Sequence, residues 1–475
     1  MFGWQSKILR INLTNKSIKV EDLNREYAKK FLGGRGLASK YLYDELKENI
    51  DPFSAENKLI FSTGPLTGTY GAANGRYMVV TKSPLNNCIA SSNSGGYFPS
   101  ELKFAGYDMV IIEGKSENPV YIAIYNDKVE IRGASNLWGK TTYETEEIIK
   151  RSFHNDAKVA CIGPAGEKGV LFSCIMNDKY RAAGRSGVGA VMGSKNLKAI
   201  AVRGTKGVQI ANKDTYRQVA QKTFSTIKKN PVSGEGLPKY GTAVLVNIIH
   251  ESGLLPVNNF LREQIKDIEK ISGETMADTI LKRNKACMSC IIGCGRVASF
   301  KDGKEIVGEG PEYEPIWAMG ADCGVTDLNA ITKANYLCNA YGVDPISAGA
   351  TIACAMEMYE KGIISEKETG LPLHFGDANA MVTMIEKICK KEGFGELLAL
   401  GSYRLAEKFG DVEYSMGVKK LEFPAYDGRV AQGIGLNYAT SNRGACHVRG
   451  YTISSEILGV PEKTDPLEVK GKAQL

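Results

Sequence analysis

The sequence predicts an α+β protein in which an N-terminal domain of two similar β layers is followed by mostly α-helical domains. Three observations support this fold class. Short β-rich runs fill the first part of the chain, apolar residues recur at i, i+3 and i+4 after it, and a Gly-Pro and Gly-Arg pattern occurs twice within the β-rich part. We predict a β-rich domain over 1–210, an α-helical domain over 211–417, and the start of a C-terminal helical domain over 418–475.

The β-rich part begins with a predicted hairpin. Residues 7–13 and 18–20 alternate apolar and polar side chains, and a polar turn separates them. Further strands are predicted at 59–61, 77–80, 109–112, 120–124, 129–131, 159–162, 170–172 and 199–202. Helices are predicted at 212–229, 276–283, 329–341, 346–361, 377–391 and 394–409, and a loop segment rich in Gly and Tyr at 422–449.

An internal repeat lies within the β-rich part. STGPLTG (62–68) leads to GRYMVVTKSPL (75–85), and CIGPAGE (161–167) leads to GRSGVGAVMGSKNL (184–197). We interpret the repeat as two β layers that present matching Gly-Arg loops to one shared ligand. The alternative is a chance likeness between two glycine-rich loops.

The composition indicates a globular protein without a nucleic-acid or membrane partner. The 60 Lys and Arg against 53 Asp and Glu give a net charge of +7, with no dense basic block. No apolar run reaches the roughly 18 residues of a membrane span, and the first residues lack the apolar core of a signal peptide. We therefore expect a cytoplasmic protein in which the 11 cysteines are reduced.

The strongest local motif is a cysteine trio, Cys287, Cys290 and Cys294, in the segment KACMSCIIGCGR. Gaps of two and three residues bring three thiolates to one side of a single turn. The spacing favours a [4Fe-4S] cluster, whose last ligand is often distant in sequence. A zinc site and three unliganded thiols are the alternatives, and no His neighbours the trio to make one of them a catalytic nucleophile.

Three segments with Arg and Gly predict an anion cradle. They are the loop around Arg76, the segment NSGGYF (93–98), and the run RAAGRSG (181–187). Guanidinium groups and exposed backbone N–H groups bind phosphate. Because the chain has no GxxxxGK[ST] motif and no convincing GxGxxG motif after a strand, these segments predict a phosphorylated cofactor that is not a nucleotide.

Acid–base candidates lie in two later loops. His447 is the one histidine of four in a Gly-rich loop with Arg443 and Arg449, and the segment GEGPEYEP supplies Glu309, Glu312 and Glu314. A partly buried carboxyl group there could act as general acid or base. The alternatives are an ordinary hydrogen-bonded histidine and solvated loop charges.

Taken together, these motifs resemble the aldehyde:ferredoxin oxidoreductase family of tungsten-containing bis-pterin enzymes. The resemblance runs through the whole chain and is carried by LGGRGLASKYLYDE, GPLTGT, GRYMVVTKSPL, SGGYFPSELKFAGYD, MNDKYRAAGRSGVGAVMGSKNLKAIAVRG, KYGTA, ACMSCIIGCGR, GPEYE and CHVRGYTISSEILGVPEK. It implies that the β layers cradle two pyranopterins that chelate one tungsten (or molybdenum) ion, and that helical domains follow.

The resemblance also implies roles for individual residues. Cofactor contacts are expected from Arg76, Asn93, Gly95, Arg181, Ala182, Gly184 and Arg185. The carbonyls of Asn93 and Ala182 would hold a Mg²⁺ ion between the two pterin phosphates, and the cysteine trio would bind a [4Fe-4S] cluster near one pterin. Glu312 and His447 match the family's acid–base positions.

The chain departs from the family at a pterin-binding motif. The family has Asp-x-x-Gly-Leu-Asp, whereas this chain has Asn339 and Asp344 at the two ends of the corresponding stretch. Asn339 can still hydrogen-bond a pterin amine, without a full charge. The family's second such motif and fourth cluster cysteine lie beyond His447, so we expect a C-terminal part in a longer protein or a second chain.

The implied activity is oxidation of a small aldehyde to a carboxylic acid, with ferredoxin as the electron acceptor, in a homo-oligomer. One alternative is a non-catalytic remnant, or a subunit that needs a second chain. Another is a family member that acts on a different carbonyl compound or reduces a ring.

Overall fold

The computed structural model describes residues 1–460 and 462–468, which form two compact units. The first unit contains residues 1–238, 285–294 and 339–343, and the second contains the described residues of 239–284, 295–338 and 344–475. The predicted domain boundaries after residues 210 and 417 stay predictions. Residues 461 and 469–475 of the predicted third domain lie outside the described residues.

Two six-stranded sheets form the first unit. The strands of one sheet are β1 (Lys7–Asn12), β2 (Ser17–Asp22), β3 (Leu59–Thr63), β4 (Tyr77–Lys82), β5 (Ile89–Ser94) and β6 (Met109–Glu113). Those of the other are β7 (Val120–Tyr125), β8 (Lys128–Gly133), β9 (Lys158–Cys161), β10 (Ile175–Asn177), β11 (Arg181–Ala183) and β12 (Leu197–Arg203).

The two sheets repeat one topology. Their strand orders are β2-β1-β6-β3-β4-β5 and β8-β7-β12-β9-β10-β11. In each sheet the first and last strands along the chain, β1 with β6 and β7 with β12, form a parallel pair, and the other neighbours are antiparallel. The prediction of an α+β fold with two similar β layers is thus confirmed.

Both faces of these sheets carry apolar side chains, as strand β1 illustrates. Leu9 points into a core shared with residues of the second sheet such as Ile122 and Ile200, whereas its neighbour Ile8 packs on helix residues that include Leu37 and Leu42. Successive strand residues face opposite sides. The helices of this unit are α1 (Arg25–Phe31), α2 (Gly34–Glu45), α3 (Phe98–Ala105), α4 (Thr142–Ser152), α5 (Pro164–Glu167), α6 (Val188–Ser194) and α7 (Lys213–Lys229).

The rest of the described chain is mostly helical. Its helices are α8 (Leu237–Tyr240), α9 (Leu245–Glu251), α10 (Gly273–Thr279), α11 (Tyr313–Met319), α12 (Leu328–Tyr341), α13 (Pro345–Glu360), α14 (Glu366–Thr369), α15 (Ala378–Lys390), α16 (Gly395–Leu398), α17 (Ser402–Lys408), α18 (Gln432–Thr440) and α19 (Ile453–Glu456). A three-stranded sheet is formed by β13 (Leu281–Lys285), β14 (Gly295–Asp302) and β15 (Lys304–Glu309), and a short hairpin by β16 (Gly417–Val418) and β17 (Leu421–Glu422).

Most predicted helices agree with the structure, and the exceptions have local causes. α7, α12, α13 and α15 begin and end within a residue of their predicted ends. The predicted helix at 276–283 ends early and continues as β13, and the helix predicted at 394–409 is divided by Gly401, whose φ is +89°. Residues 170–172 form no strand, and α18 lies in the segment predicted as a loop. No helix of the described residues is long and apolar enough to cross a bilayer.

Candidate functional site

The glycine loops of the first unit follow equivalent strands of the two sheets. β5 ends at Ser94 before Gly95, and β11 ends at Ala183 before Gly184. β5 and β11 are the last strands of their sheets and lie next to each other. The repeated topology therefore brings the two predicted cofactor loops together, with Asn93 and Ala182 at matching positions one residue before each strand end.

The two sheets support the internal repeat, but its two Gly-Arg dipeptides do not lie at equivalent positions. The two Gly-Pro segments directly follow β3 and β9, which are equivalent strands. Arg76, however, lies just before β4, whereas Arg185 follows β11. The structural counterpart of Gly184 is therefore Gly95 and not Gly75. A Gly-Arg dipeptide is too short to establish a register by itself.

Three arginines lie in or next to these loops in the chain. Nη1 of Arg76, an exposed residue, donates a hydrogen bond of 2.9 Å to Oδ1 of Asn93 on β5. Arg181 is half-buried at the start of β11, and Arg185 is buried. Guanidinium groups next to backbone loops form strong bonds with phosphate oxygens. This donor set fits the predicted phosphate cradle, while the roles of these residues stay predictions.

A polar pair outside the predicted site residues holds the first loop in place. Nδ2 of Asn177 donates to the carbonyl of Gly95 (2.8 Å), and its Oδ1 accepts from the hydroxyl of Ser94 (2.7 Å). Oδ2 of Asp178 accepts from the backbone N–H groups of Tyr97 (2.7 Å) and Phe98 (3.2 Å). These two residues start the segment NDKYRAAGR, but only the folded chain shows that they contact the other glycine loop.

The cysteine loop is attached to the same unit. Met288 N–H donates to the carbonyl of Gly96 (3.1 Å), and the hydroxyl of Ser289 donates to the carbonyl of Thr69 (3.2 Å). Ser289 has a φ of +53°, which turns the loop back on itself between two of the cysteines. A Cβ atom at Gly95 would lie 2.8 Å from Sγ of Cys287. Cys287 therefore packs directly on the glycine loop.

Space is available beside the trio. A cavity of about 550 Å³ is lined by two of its thiols and by aromatic and cationic side chains: Cys287, Cys290, Tyr70, Tyr97, Phe224 and Arg217. Within the described residues, no three His, Cys, Asp or Glu side chains are arranged to hold a single metal ion. A zinc ion would need its ligands at about 2.0–2.3 Å. The cluster predicted from the cysteine spacing, in which each thiolate would bind a different iron, stays a prediction.

The acid–base candidates Glu312 and His447 belong to the second unit. Glu312 is the N-cap residue of α11, and Glu314 is in the first turn of that helix. Nε2 of His447 lies 3.8 Å from Oε1 of Glu314. Burial raises the pKa of the neighbouring Tyr313 and Tyr426 well above the ordinary value. These phenols are therefore neutral at physiological pH.

The two residues of the altered pterin motif have structural contacts of their own. Asn339 is mostly buried, and its carbonyl accepts a 2.8 Å hydrogen bond from the hydroxyl of Thr142. Asp344 is the N-cap of α13, where its Oδ1 accepts from Ile346 N–H (3.2 Å) and its Oδ2 from the hydroxyl of Ser347 (3.0 Å). These contacts of Asp344 are enough to explain why an Asp precedes this helix, and no ligand is needed for the explanation. The cofactor roles of both residues stay predictions.

Family models and known proteins match nearly the whole chain. Residues 8–204 match the model for the aldehyde ferredoxin oxidoreductase N-terminal domain, and residues 218–475 match the model for domains 2 and 3. The chain is 54% identical to a tungsten-containing aldehyde ferredoxin oxidoreductase of Pyrococcus horikoshii over 474 residues, which are 99% of this chain and 78% of that protein. The protein of that name from Thermococcus kodakarensis is 52% identical over the same shares.

More distant relatives have names that state other activities. The aliphatic sulfonate oxidoreductase, WOR-like subunit, of Pyrococcus furiosus is 32% identical over 95% of this chain and 77% of its own length. Among solved structures, the active site complex BamBC of benzoyl coenzyme A reductase with 1,5-dienoyl-CoA superposes with a TM-score of 0.83 at 30% identity. That match covers 94% of this chain and 70% of the BamBC chain.

Proposed function

The chain belongs to the aldehyde ferredoxin oxidoreductase family, and we propose that it oxidises an aldehyde to a carboxylic acid and passes the electrons to ferredoxin. In this reaction an aldehyde and water give a carboxylic acid, two protons and two electrons. The observation that carries the proposal is the 54% identity to a tungsten-containing enzyme of this name over 99% of the chain.

The proposed cofactor is a tungsten or molybdenum ion held by two pyranopterins in the first unit. Arg76, Arg181 and Arg185 would bind the pterin phosphates, and Gly95 and Gly184 would let the backbone approach closely. The carbonyls of Asn93 and Ala182 would hold Mg²⁺ between the phosphates, since carbonyl oxygens suit this ion. Their matching positions on the adjacent strands β5 and β11 support a ligand shared by both sheets.

The proposed electron relay is a [4Fe-4S] cluster on Cys287, Cys290 and Cys294, with its fourth ligand left open. Its support is the packing of Cys287 on the Gly95 loop and the cavity beside Cys290. When bound, the tungsten centre would supply two-electron redox chemistry, and the cluster held by these cysteines would supply one-electron transfer towards ferredoxin. The residues of the chain supply binding and proton transfer.

Two residues of the second unit are proposed to act on the substrate. Glu312 would accept a proton as water adds to the carbonyl carbon, and His447 would donate a hydrogen bond to the aldehyde oxygen as negative charge develops there. One well-aimed donor of this kind contributes about 2.7–4 kcal/mol in acyl-transfer enzymes.

The first experiment measures metal content and activity together. Tungsten, iron and acid-labile sulfide are measured in the purified, metal-loaded protein, and aldehyde-dependent reduction of a viologen dye is followed. We expect tungsten, a cluster and aldehyde-dependent reduction. A folded protein that takes up no tungsten would instead identify a non-catalytic remnant or an incomplete subunit.

Glu312→Gln tests the proton-transfer role. We expect turnover to fall about 100-fold or more with unchanged tungsten and iron, since positioned general bases contribute roughly 10²–10⁴-fold. The control is Glu305→Gln, an exposed charge on β15, which should leave turnover unchanged. Equal turnover of Glu312→Gln and the wild type would remove the assignment.

A second candidate function is ring reduction, because the chain superposes on a benzoyl coenzyme A reductase component with a TM-score of 0.83. The same metal-loaded protein is assayed with an aryl-CoA thioester and a reduced viologen. Oxidation of the dye that depends on the thioester, without activity on aldehydes, would favour this second function.

A further inference from the structure

The loop that contains His447 packs against a carboxylate that the proposed reaction does not use. Oε1 of Glu314 lies 3.8 Å from Nε2 of His447, and the other oxygen, Oε2, accepts a 3.0 Å hydrogen bond from the backbone N–H of Ala425. The two side chains are only 13% and 19% exposed. The backbone bond therefore fixes one oxygen of Glu314, while the other faces the imidazole.

The described surroundings of His447 include neutral phenols, and its loop includes an arginine. The ring of Tyr426 lies 6.5 Å from the imidazole, and its hydroxyl is 3.2 Å from that of Tyr451. Burial raises the pKa of both tyrosines, which keeps them neutral. Arg443, in the same loop as His447, directs Nη2 at Sγ of Cys446 (2.9 Å). The negative charge that faces His447 in these contacts comes from Glu314.

We propose that Glu314 is a positioning residue that holds His447 as an imidazolium, whose Nε2 faces Glu314 and whose Nδ1–H donates to the substrate. This inference rests on the proposed function for the role of His447, but the ion pair itself does not depend on it. A protonated imidazole donates from both ring nitrogens, whereas a neutral one donates from one. Glu312 and Glu314, two residues apart, would then have separate tasks, proton transfer and orientation.

The expected strength of the effect follows from burial. An opposite charge within about 4–6 Å favours the ionised form and shifts a pKa by about 1–3 units in partly buried pairs. The chain contains an exposed pair of nearly the same length for comparison. Nδ1 of His374 lies 3.9 Å from Oε1 of Glu360, with the two side chains 60% and 44% exposed. Solvent screens that pair, so its ion-pair interaction is weak.

The test is a titration of histidine Cε1–H signals by NMR in the metal-loaded protein without substrate. The chain has only four histidines, and His447→Gln assigns the signal of interest. We expect the wild-type His447 midpoint above the ordinary value of about 6.5 and a fall of about one unit or more in Glu314→Gln. The Gln side chain can still accept from Ala425 N–H, so the variant removes charge and keeps that contact.

The matched control is Glu360→Gln, which removes a carboxylate at nearly the same distance from an exposed histidine and should leave the His447 midpoint unchanged. A wild-type His447 midpoint at or below 6.5 would overturn the inference, and this measurement does not depend on the folding of Glu314→Gln. An unchanged His447 midpoint in Glu314→Gln would overturn it as well, whatever happens to activity.

Activity provides the second readout. In Glu314→Gln we expect kcat for the aldehyde to fall about tenfold or more at pH 8, with a smaller change in KM. At pH 6 kcat should recover in part, because a histidine is protonated there without a neighbouring carboxylate. Glu314→Asp, which keeps the charge, should restore most of the kcat. A raised His447 midpoint that falls in Glu314→Gln, in a protein that oxidises no aldehyde, would refute the proposed function and leave the ion pair supported.

Discussion

Gly95→Ala tests the contact between the glycine loop and the cysteine loop. The new Cβ would lie 2.8 Å from Sγ of Cys287 and 3.7 Å from Cδ of Arg76. Non-bonded heavy atoms prefer separations of about 3.5–4.0 Å, so the methyl group would be roughly 1 Å too close to the sulfur and in ordinary contact with the arginine. The substitution therefore acts on the thiol and leaves the guanidinium in place.

The cost can be estimated from overpacking. Inserting a methyl group into a filled site costs about 1–3 kcal/mol, and the chain can avoid this cost by rotating the Cys287 side chain away. If the Cys287 thiol instead stays in its cluster position, the overpacking cost weakens its binding to iron. A cost of this size corresponds to binding that is about 5- to 150-fold weaker, at about 1.4 kcal/mol per tenfold. Loss of one of three protein thiolates should leave most molecules without a complete cluster.

The assay is iron and acid-labile sulfide per chain after reconstitution under anaerobic conditions. We expect about four irons in the wild type and fewer than half of that in Gly95→Ala, with a loss of the visible absorption of the cluster. Because the cost is local, the melting temperature of the metal-free protein should change by only a few degrees.

The matched control is Gly133→Ala at the end of β8, where a Cβ would meet no atom within 4 Å. This variant should bind iron like the wild type. Equal iron content in Gly95→Ala and Gly133→Ala would refute the argument that Cys287 is a cluster ligand packed on the loop at Gly95.

Two further predictions concern stability. Burial raises the pKa of Asp322 well above its ordinary value, although the backbone N–H of Asn259 opposes this shift. The folded state then retains a proton that the unfolded chain loses above about pH 4, and stability falls as the pH rises towards the folded-state pKa. Asp322→Asn should raise the melting temperature by a few degrees at pH 7 and by less at pH 4.5, and an equal gain at both pH values would contradict the reasoning. Nζ of Lys103 lies 2.5 Å from Oδ1 of Asp108 with both side chains buried, so Lys103→Met should destabilise the protein by about 3–5 kcal/mol in urea unfolding. Lys29→Met, in the exposed pair with Glu26, should change little, and similar losses in both variants would argue against the burial effect.

Several features could be predicted because they depend on neighbouring residues. Alternation marked the hairpin of β1 and β2, and 3.6-residue periodicity marked α7, α12, α13 and α15. The cysteine trio lies within eight residues, and its spacing alone indicated a metal cluster. In each case the whole pattern is contained in one short stretch of the chain.

Other features could not be predicted because their causes are distant in sequence. β13, with the sequence Leu-Lys-Arg-Asn-Lys, has no apolar alternation and becomes a strand through its pairing with β14. Asn177 and Asp178 hold a loop about 80 residues earlier in the chain. Nothing in the local sequence of either residue indicates that contact.

The sequence by itself determined the fold class, the two β layers, the cysteine trio and the family resemblance, because local periodicity and short motifs encode these features. Only the tertiary structure decided that Gly95 is the counterpart of Gly184. Only the tertiary structure also placed Glu314 beside His447, 133 residues later. Such contacts form when folding packs together groups that are far apart in the sequence and excludes water from them. No short window of sequence contains both partners.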